Sequence, residues 1–213
     1  MNKREIDLGR DIDPFTIWDE RAKIPGLRSV MSLGLSEREA QTESEKLVAS
    51  VFDFLGDELR GKDVLEIGTG IGRFTIHLST QANTLITIDL SQEMINRAKV
   101  NCNGVSSLNF LRASGCHIPS DDTKFEWVFE VTVLLHMPDE QFIQIIEEAK
   151  RVLKPDGKFF LCGPIDPEQR RQIHQYAIHR TMDEYRQALD PFSVSKVRKV
   201  KCGNDNYTMI VAS

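Results

Sequence analysis

Val64-Leu65-Glu66-Ile67-Gly68-Thr69-Gly70-Ile71-Gly72-Arg73 is the stretch on which the reading of this chain turns. Aliphatic residues and one acid run into three glycines spaced two apart, and an apolar-periodic segment follows. That order describes a buried strand, a tight turn and a helix start. Glycine reaches positive φ without steric cost and lets a ligand approach the backbone closely. Glu66 before the turn, with Asp89 about twenty residues further on, suits a ligand carrying an ammonium group and a ribose.

Outward from this turn, strands and helices alternate. Strands are expected at 63–67, 84–88, 107–111, 126–131 and 158–162, with a turn helix over 71–78 and a helix capped by Ser91 that turns Met94, Ile95 and Ala98 inward. Asp139 is expected to cap an amphipathic helix that buries Phe142, Ile145, Ile146, Ala149, Val152 and Leu153, and Lys154-Pro155-Asp156-Gly157 breaks it. A further helix is expected over 169–189. The stretches 193–200 and 206–211 then pair as a hairpin through Gly203-Asn204-Asp205. Upstream, Ser36 and Glu39 form a capping box for a helix to about residue 59. Residues 1–35 are polar and irregular, with Phe15, Ile17 and Trp18 as apolar anchors. The alternation predicts an α/β fold, a parallel sheet covered on both faces.

The 213 residues fall in the range of one α/β domain, and 40% hydrophobic with 28% charged residues is ordinary for a chain with a full core. A formal net charge of −5 argues against a dedicated nucleic-acid binder, although residues 150–201 hold twelve Lys or Arg against six Asp or Glu. Cys102, Cys116, Cys162 and Cys202 are scattered without metal-ligand spacing, so no metal site is expected and a reducing compartment fits. With neither an apolar leader nor a run of membrane-spanning length, the expectation is a soluble, cytoplasmic protein without a membrane partner.

Taken together, these segments resemble the class I S-adenosylmethionine-dependent methyltransferases over roughly residues 62–162. Glu66-x-Gly68-x-Gly70-x-Gly72 is similar to the family's first motif, and Asp89 stands where the family places an acid for the ribose. Residues 129–139 (Phe-Glu-Val-Thr-Val-Leu-Leu-His-Met-Pro-Asp) resemble the fourth motif, and 151–161 the helix, turn and strand after it. Gly72 followed by Arg73 departs from the nicotinamide-type G-x-G-x-x-G. The resemblance implies a Rossmann-like, seven-stranded, mostly parallel sheet with helices on both faces, closed by a C-terminal antiparallel hairpin. It also implies an N-terminal arm and capping helix over 1–60, the methyltransferase domain over 61–213, and S-adenosylmethionine as cofactor with S-adenosylhomocysteine as product.

Residue by residue, the resemblance places Gly68, Thr69, Gly70 and Gly72 against the cofactor, Glu66 on its ammonium and Asp89 on its ribose. Leu90 and Met94 would pack on the nucleoside, unless they are core residues, and Val131 belongs to the same wall. Ala113, Ser114 and Gly115 fall where the family meets the adenine; Ser114 replaces an acid there, so its contact is that of a neutral hydroxyl. Arg73 is a candidate partner for the cofactor carboxylate or else a solvent-facing or Glu-paired arginine.

His136 is the catalytic candidate, since an imidazole suits proton removal near neutral pH, with loop orientation as the alternative role. Glu130, at the end of the fourth strand, would hold an amine or accept a proton. Trp18, Arg21 and Met31 are candidates for a lid, with packing on the sheet the plainer role for Trp18. His174, His179, Asp183 and Tyr185 read as an exposed helix face, and His77 and His117 as structural. The acceptor expected is an oxygen or nitrogen of a small molecule, the protein being a monomer or homodimer. A protein N-terminal amine, RNA, and cofactor binding without catalysis are the alternatives.

Overall fold

The computed structural model describes residues 14–213 apart from 106, 107, 167, 175, 176 and 204. Ser107, Asn204 and the side chain of Phe15 therefore lie outside the described residues. The strands are β1 (Asp63–Ile67), β2 (Thr84–Asp89), β3 (Leu108–Arg112), β4 (Phe125–Val131), β5 (Leu153–Pro164), β6 (Arg171–His174), β7 (Ala177–His179), β8 (Val194–Cys202) and β9 (Asp205–Ala212). The α-helices are α1 (Pro14–Ala22), α2 (Glu37–Leu55), α3 (Thr75–Leu78), α4 (Gln92–Asn101), α5 (Asp139–Val152) and α6 (Met182–Ala188). Seven strands form one sheet in the order β3-β2-β1-β4-β5-β9-β8. The first five pair in parallel, while β9 lies antiparallel between β5 and β8.

Side-chain alternation along the strands splits the core in two. Leu65, Ile67, Val128, Phe159, Leu161 and Ile210 face α5 and α6, meeting Phe142, Ile145, Ile146 and Tyr185. Val64, Trp127, Phe129, Phe160, Met209 and Val211 face α2, meeting Leu47, Val51, Phe54 and Leu55. α2 thus completes one face of the core. The Ser36–Glu39 capping box is present, and α2 ends at Leu55 rather than near 59, because Gly56 turns away with φ +57°.

α1 docks on α4. Ile71, Met94 and Ala22 form a third apolar cluster with Trp18, Leu27 and Val30 packed on it. Ser91, which caps α4 by accepting from Met94 N, also donates to Asp19 of α1. Arg97 donates to the carbonyls of Ala22, Ile24 and Gly26 at 2.9, 2.8 and 2.9 Å.

Four expectations need correction. The turn helix begins at Thr75 rather than residue 71, since Gly70 and Gly72 keep positive φ. Asp139 is the first residue of α5 but not its cap; its carboxylate accepts instead from Arg180 at 2.7 Å and Arg170 at 2.9 Å. Lys154-Pro155-Asp156-Gly157 bulges within the long strand β5, between Leu153 opposite Phe125 and Lys158 opposite Trp127. The helix expected over 169–189 is replaced by the β6–β7 hairpin and the short α6. This stretch lacks a long apolar stripe, and the capping box of Thr181 with Glu184 starts the helix late. Among the described residues no helix is long and apolar enough to cross a membrane.

Candidate active site

A cleft opens at the carboxyl ends of β1, β2 and β4. Ligands of open α/β sheets sit at such an edge, where the strand order reverses. Gly68, Thr69, Gly70, Arg73, Asp89, Leu90, Met94, Ala113, Ser114, Gly115, Val131 and His136 line it, whereas Glu66, Gly72 and Glu130 do not.

The turn after β1 is fixed by its backbone. Gly68 and Thr69 both donate to Ile88 O, at 2.8 and 3.0 Å. Gly68 has φ +83°, and a Cβ there would lie 2.2 Å from Val133 Cγ2. No other residue fits this position without moving the loop opposite. At Gly72 a Cβ would meet Cys102 Sγ at 2.9 Å and Ala98 Cα at 3.3 Å, so its bare backbone seats the turn closely on α4.

Asp89 accepts from Gly70 N at 2.7 Å through one oxygen and from Ser91 N at 2.9 Å through the other. A carboxylate has about four acceptor sites, so two remain for hydroxyls in the cleft. Burial raises its pKa to about 6 against these two donors, with Asp19 adding to the rise.

Glu66 is buried behind the turn, where Thr75 and Thr87 donate to one of its oxygens at 2.6 and 2.7 Å. Burial lifts its pKa to about 7 despite both hydroxyls. Both hydroxyls engage the same oxygen of Glu66. The signal for this network lies in the strand register, which sets Glu66 opposite Thr87.

The second wall follows β4. Thr132, a β-branched residue, adopts φ +61°, a strained conformation that surrounding structure must impose. Val133, His136 and Met137 then face the cleft. Trp18 of α1 meets His136 edge-on, with ring centroids 4.8 Å apart at 74°, and lines the cleft while packing on the Ile71–Met94–Ala22 cluster. Arg21 donates to Ser29 O and Arg28 O at 3.1 and 3.0 Å, tying down the chain beyond α1.

Glu130 is 1% exposed and accepts from Val133 N and from Leu134 N (3.2 Å), with its pKa raised to about 7 by burial. It supports the loop and does not face the cleft. Ser114 Oγ accepts from Cys116 N at 3.1 Å, leaving its O–H to donate. Arg73 lies 4.6 Å over the Phe74 ring, and desolvation lowers its pKa. Thr132 and Val133 of the fourth-motif stretch also line the cleft, as do Val30, Gln141 and Ile145, to which the motifs did not point.

Of the basic stretch, Lys196 pairs with Glu58 and Arg198 with Asp53 at 2.5 Å. Tyr185 is buried in the core, edge-on to Phe142, rather than on an exposed helix face.

Residues 64–157 match a family model described as a methyltransferase domain. Phosphoethanolamine N-methyltransferase 1 of Triticum aestivum is 27% identical over 163 residues, covering 74% of this chain and 32% of that protein. This chain spans about a third of the length of the curated phosphoethanolamine N-methyltransferases it matches. Two solved structures share the fold. A SAM-dependent methyltransferase of Leishmania major superposes with TM-score 0.76 at 15% identity, covering 93% of this chain and 82% of that one. Magnesium protoporphyrin IX methyltransferase from Synechocystis with bound SAM gives 0.73 at 18%, covering 96% and 98%.

Proposed function

We propose that this chain, which belongs to the class I S-adenosylmethionine-dependent methyltransferases, moves the methyl group of S-adenosylmethionine to an oxygen or nitrogen of a compact small molecule. One observation carries the reading: a glycine turn and a ribose-type carboxylate, Asp89, face an imidazole, His136, across a single cleft. The cradle fits the cofactor, because Gly68 and Gly70, both at positive φ, line the cleft with bare backbone. Asp89 would take the ribose hydroxyls, Ala113, Ser114 and Gly115 the adenine edge, and Arg73 the carboxylate.

The cofactor supplies an already activated methyl group, so the protein needs chiefly to orient the acceptor and exclude water. Trp18 and the loop after β4 do the excluding. His136 takes the acceptor proton. Glu66 and Glu130 are engaged behind the walls, so the carboxylate lining the described cleft is Asp89, already committed to the ribose. That favours a neutral hydroxyl over a cationic amine such as a protein N-terminus. The pairing of Lys196 with Glu58 and of Arg198 with Asp53 also leaves RNA less supported. A reducing, cytoplasmic setting suits the four free cysteines.

The relatives act, by their names, on acceptors as different as phosphoethanolamine and magnesium protoporphyrin IX, so the acceptor here is read from the cleft. Calorimetry with S-adenosylhomocysteine should show binding. Label from methyl-labelled S-adenosylmethionine should enter a metabolite pool in preference to peptide or RNA pools. Absence of binding ends the reading; transfer to peptide or RNA replaces its acceptor, and binding without any transfer favours a cofactor-holding protein.

A further inference from the structure

The geometry points to Arg180 as the positioning residue that holds the His136 loop in its cleft-facing form and ties the β6–β7 hairpin to it. Its effect on rate rests on the methyl-transfer reading; the loop geometry does not.

The short 3-10 segment Leu134–His136 is gripped at both ends by buried side chains, a carboxyl group and a guanidinium. At its amino end Glu130 accepts from Val133 N and Leu134 N. At its carboxyl end Arg180 donates to Leu134 O at 3.1 Å and Met137 O at 2.6 Å. An acid at the N–H end and a cation at the carbonyl end both complement the aligned peptide dipoles. His136 sits between the two grips.

Arg180 is 1% exposed. Burying a guanidinium is costly, and a buried ion pair is often no more stable than an apolar replacement. A general contribution to stability therefore explains this residue poorly, whereas its geometry explains it well. All of its work is on this loop: two loop carbonyls, Asp139 at 2.7 Å where the loop enters α5, and the Phe142 ring at 4.2 Å one turn later. The strained Thr132 opens the same loop, so outside support is needed to keep the conformation.

The support is linked to the hairpin. Arg180 directly follows β7, and its own carbonyl accepts from Asp166 N at 2.9 Å. Arg170, just before β6, shares Asp139 at 2.9 Å. A shift of the hairpin therefore pulls on the residue that seats His136.

Arg180→Lys keeps the charge but loses the planar fork, and Arg180→Met removes both. Arg186→Ala, on an exposed pair with Asp183, is the control. Three readouts are needed: amide exchange of residues 133–137 in the free protein, S-adenosylhomocysteine affinity by calorimetry, and the initial rate of label transfer into the metabolite pool. The 180 variants should exchange about tenfold faster in the loop with β1 and β2 unchanged. The transfer rate should fall about a hundredfold, as expected for a misplaced group, while affinity stays within about threefold. Wild-type loop exchange in folded 180 variants overturns the assignment. So does a parallel loss of affinity with faster exchange throughout, which marks a merely structural role. Should a substitution at 180 prevent folding, Asp139→Asn takes its place on a carboxylate that is 61% exposed. It should speed loop exchange about threefold, and no change overturns the proposal. Failure of the wild type to bind the nucleoside would remove the methyl-transfer reading and leave the exchange experiment standing.

Discussion

On one side of the cleft, the turn after β1 hangs on main-chain bonds from Gly68 and Thr69 to Ile88 O, and Gly70 N adds a bond to the Asp89 carboxylate. On the other side, the loop after β4 is held by Glu130 and Arg180, fifty residues apart in sequence. The first wall is a product of the parallel sheet itself; most side chains along it can change without moving it. The second depends on two buried polar side chains and a strained threonine. A protein built this way can reshape the side that meets the acceptor while the nucleoside side stays fixed.

The sharpest way to break that contrast is at the point where the walls touch. Gly68→Ala brings a Cβ to 2.2 Å from Val133 at a φ of +83°, combining backbone strain with overpacking. S-adenosylhomocysteine affinity should fall on the order of a thousandfold, read by calorimetry. Retained affinity would mean that the second wall yields freely.

Next in size is a pH effect common to both walls. Glu66 and Glu130 each have a pKa near 7, raised by burial from the ordinary 4.5, so each holds its proton more tightly folded than unfolded. The stability this confers is complete below about pH 4.5 and is lost as pH rises to about 7, roughly 3 kcal/mol for each. Urea unfolding at pH 5 and 7.5 should show the wild type losing stability, Asp89 contributing a smaller share, with the loss reduced by about 2 kcal/mol in Glu130→Gln or Glu66→Gln. Equal slopes in wild type and variants would show that these groups keep ordinary titration.

His136→Ala addresses the second wall alone. The transfer rate should drop about a hundredfold while nucleoside affinity changes little, the signature of a lost proton acceptor. The smallest effect belongs far from both walls. Arg198→Ala removes an exposed pair with Asp53 and should change unfolding free energy by less than about 0.5 kcal/mol.

The two walls also differ in how far they could be read from the sequence. β1 appears over residues 63–67 as its aliphatic run predicts, Asp89 closes β2, and Ser91 caps α4. These features are local: strand alternation, glycine spacing and cap chemistry each act within a few residues. The support of the second wall is not local. Arg180 lies in a Gln- and Arg-rich stretch that looks solvent-facing, and only the hairpin turns it inward. The strand pattern places Glu130 at the sheet's carboxyl edge, where it reads as a group to hold an amine or accept a proton; its bonds from the Val133 and Leu134 amides depend on the path of the loop. Thr132 gave no warning, since positive φ in a β-branched residue runs against its local preference.

The place of β9 bears on how the polypeptide is made. β8 joins the sheet through β9, which itself zips onto β5. A nascent chain emerging from the ribosome therefore presents β8 before the strand that will hold it exists. Until β9 follows, the open edge of β5, apolar on both faces through Phe159, Phe160 and Leu161, is the surface a chaperone would have to shield.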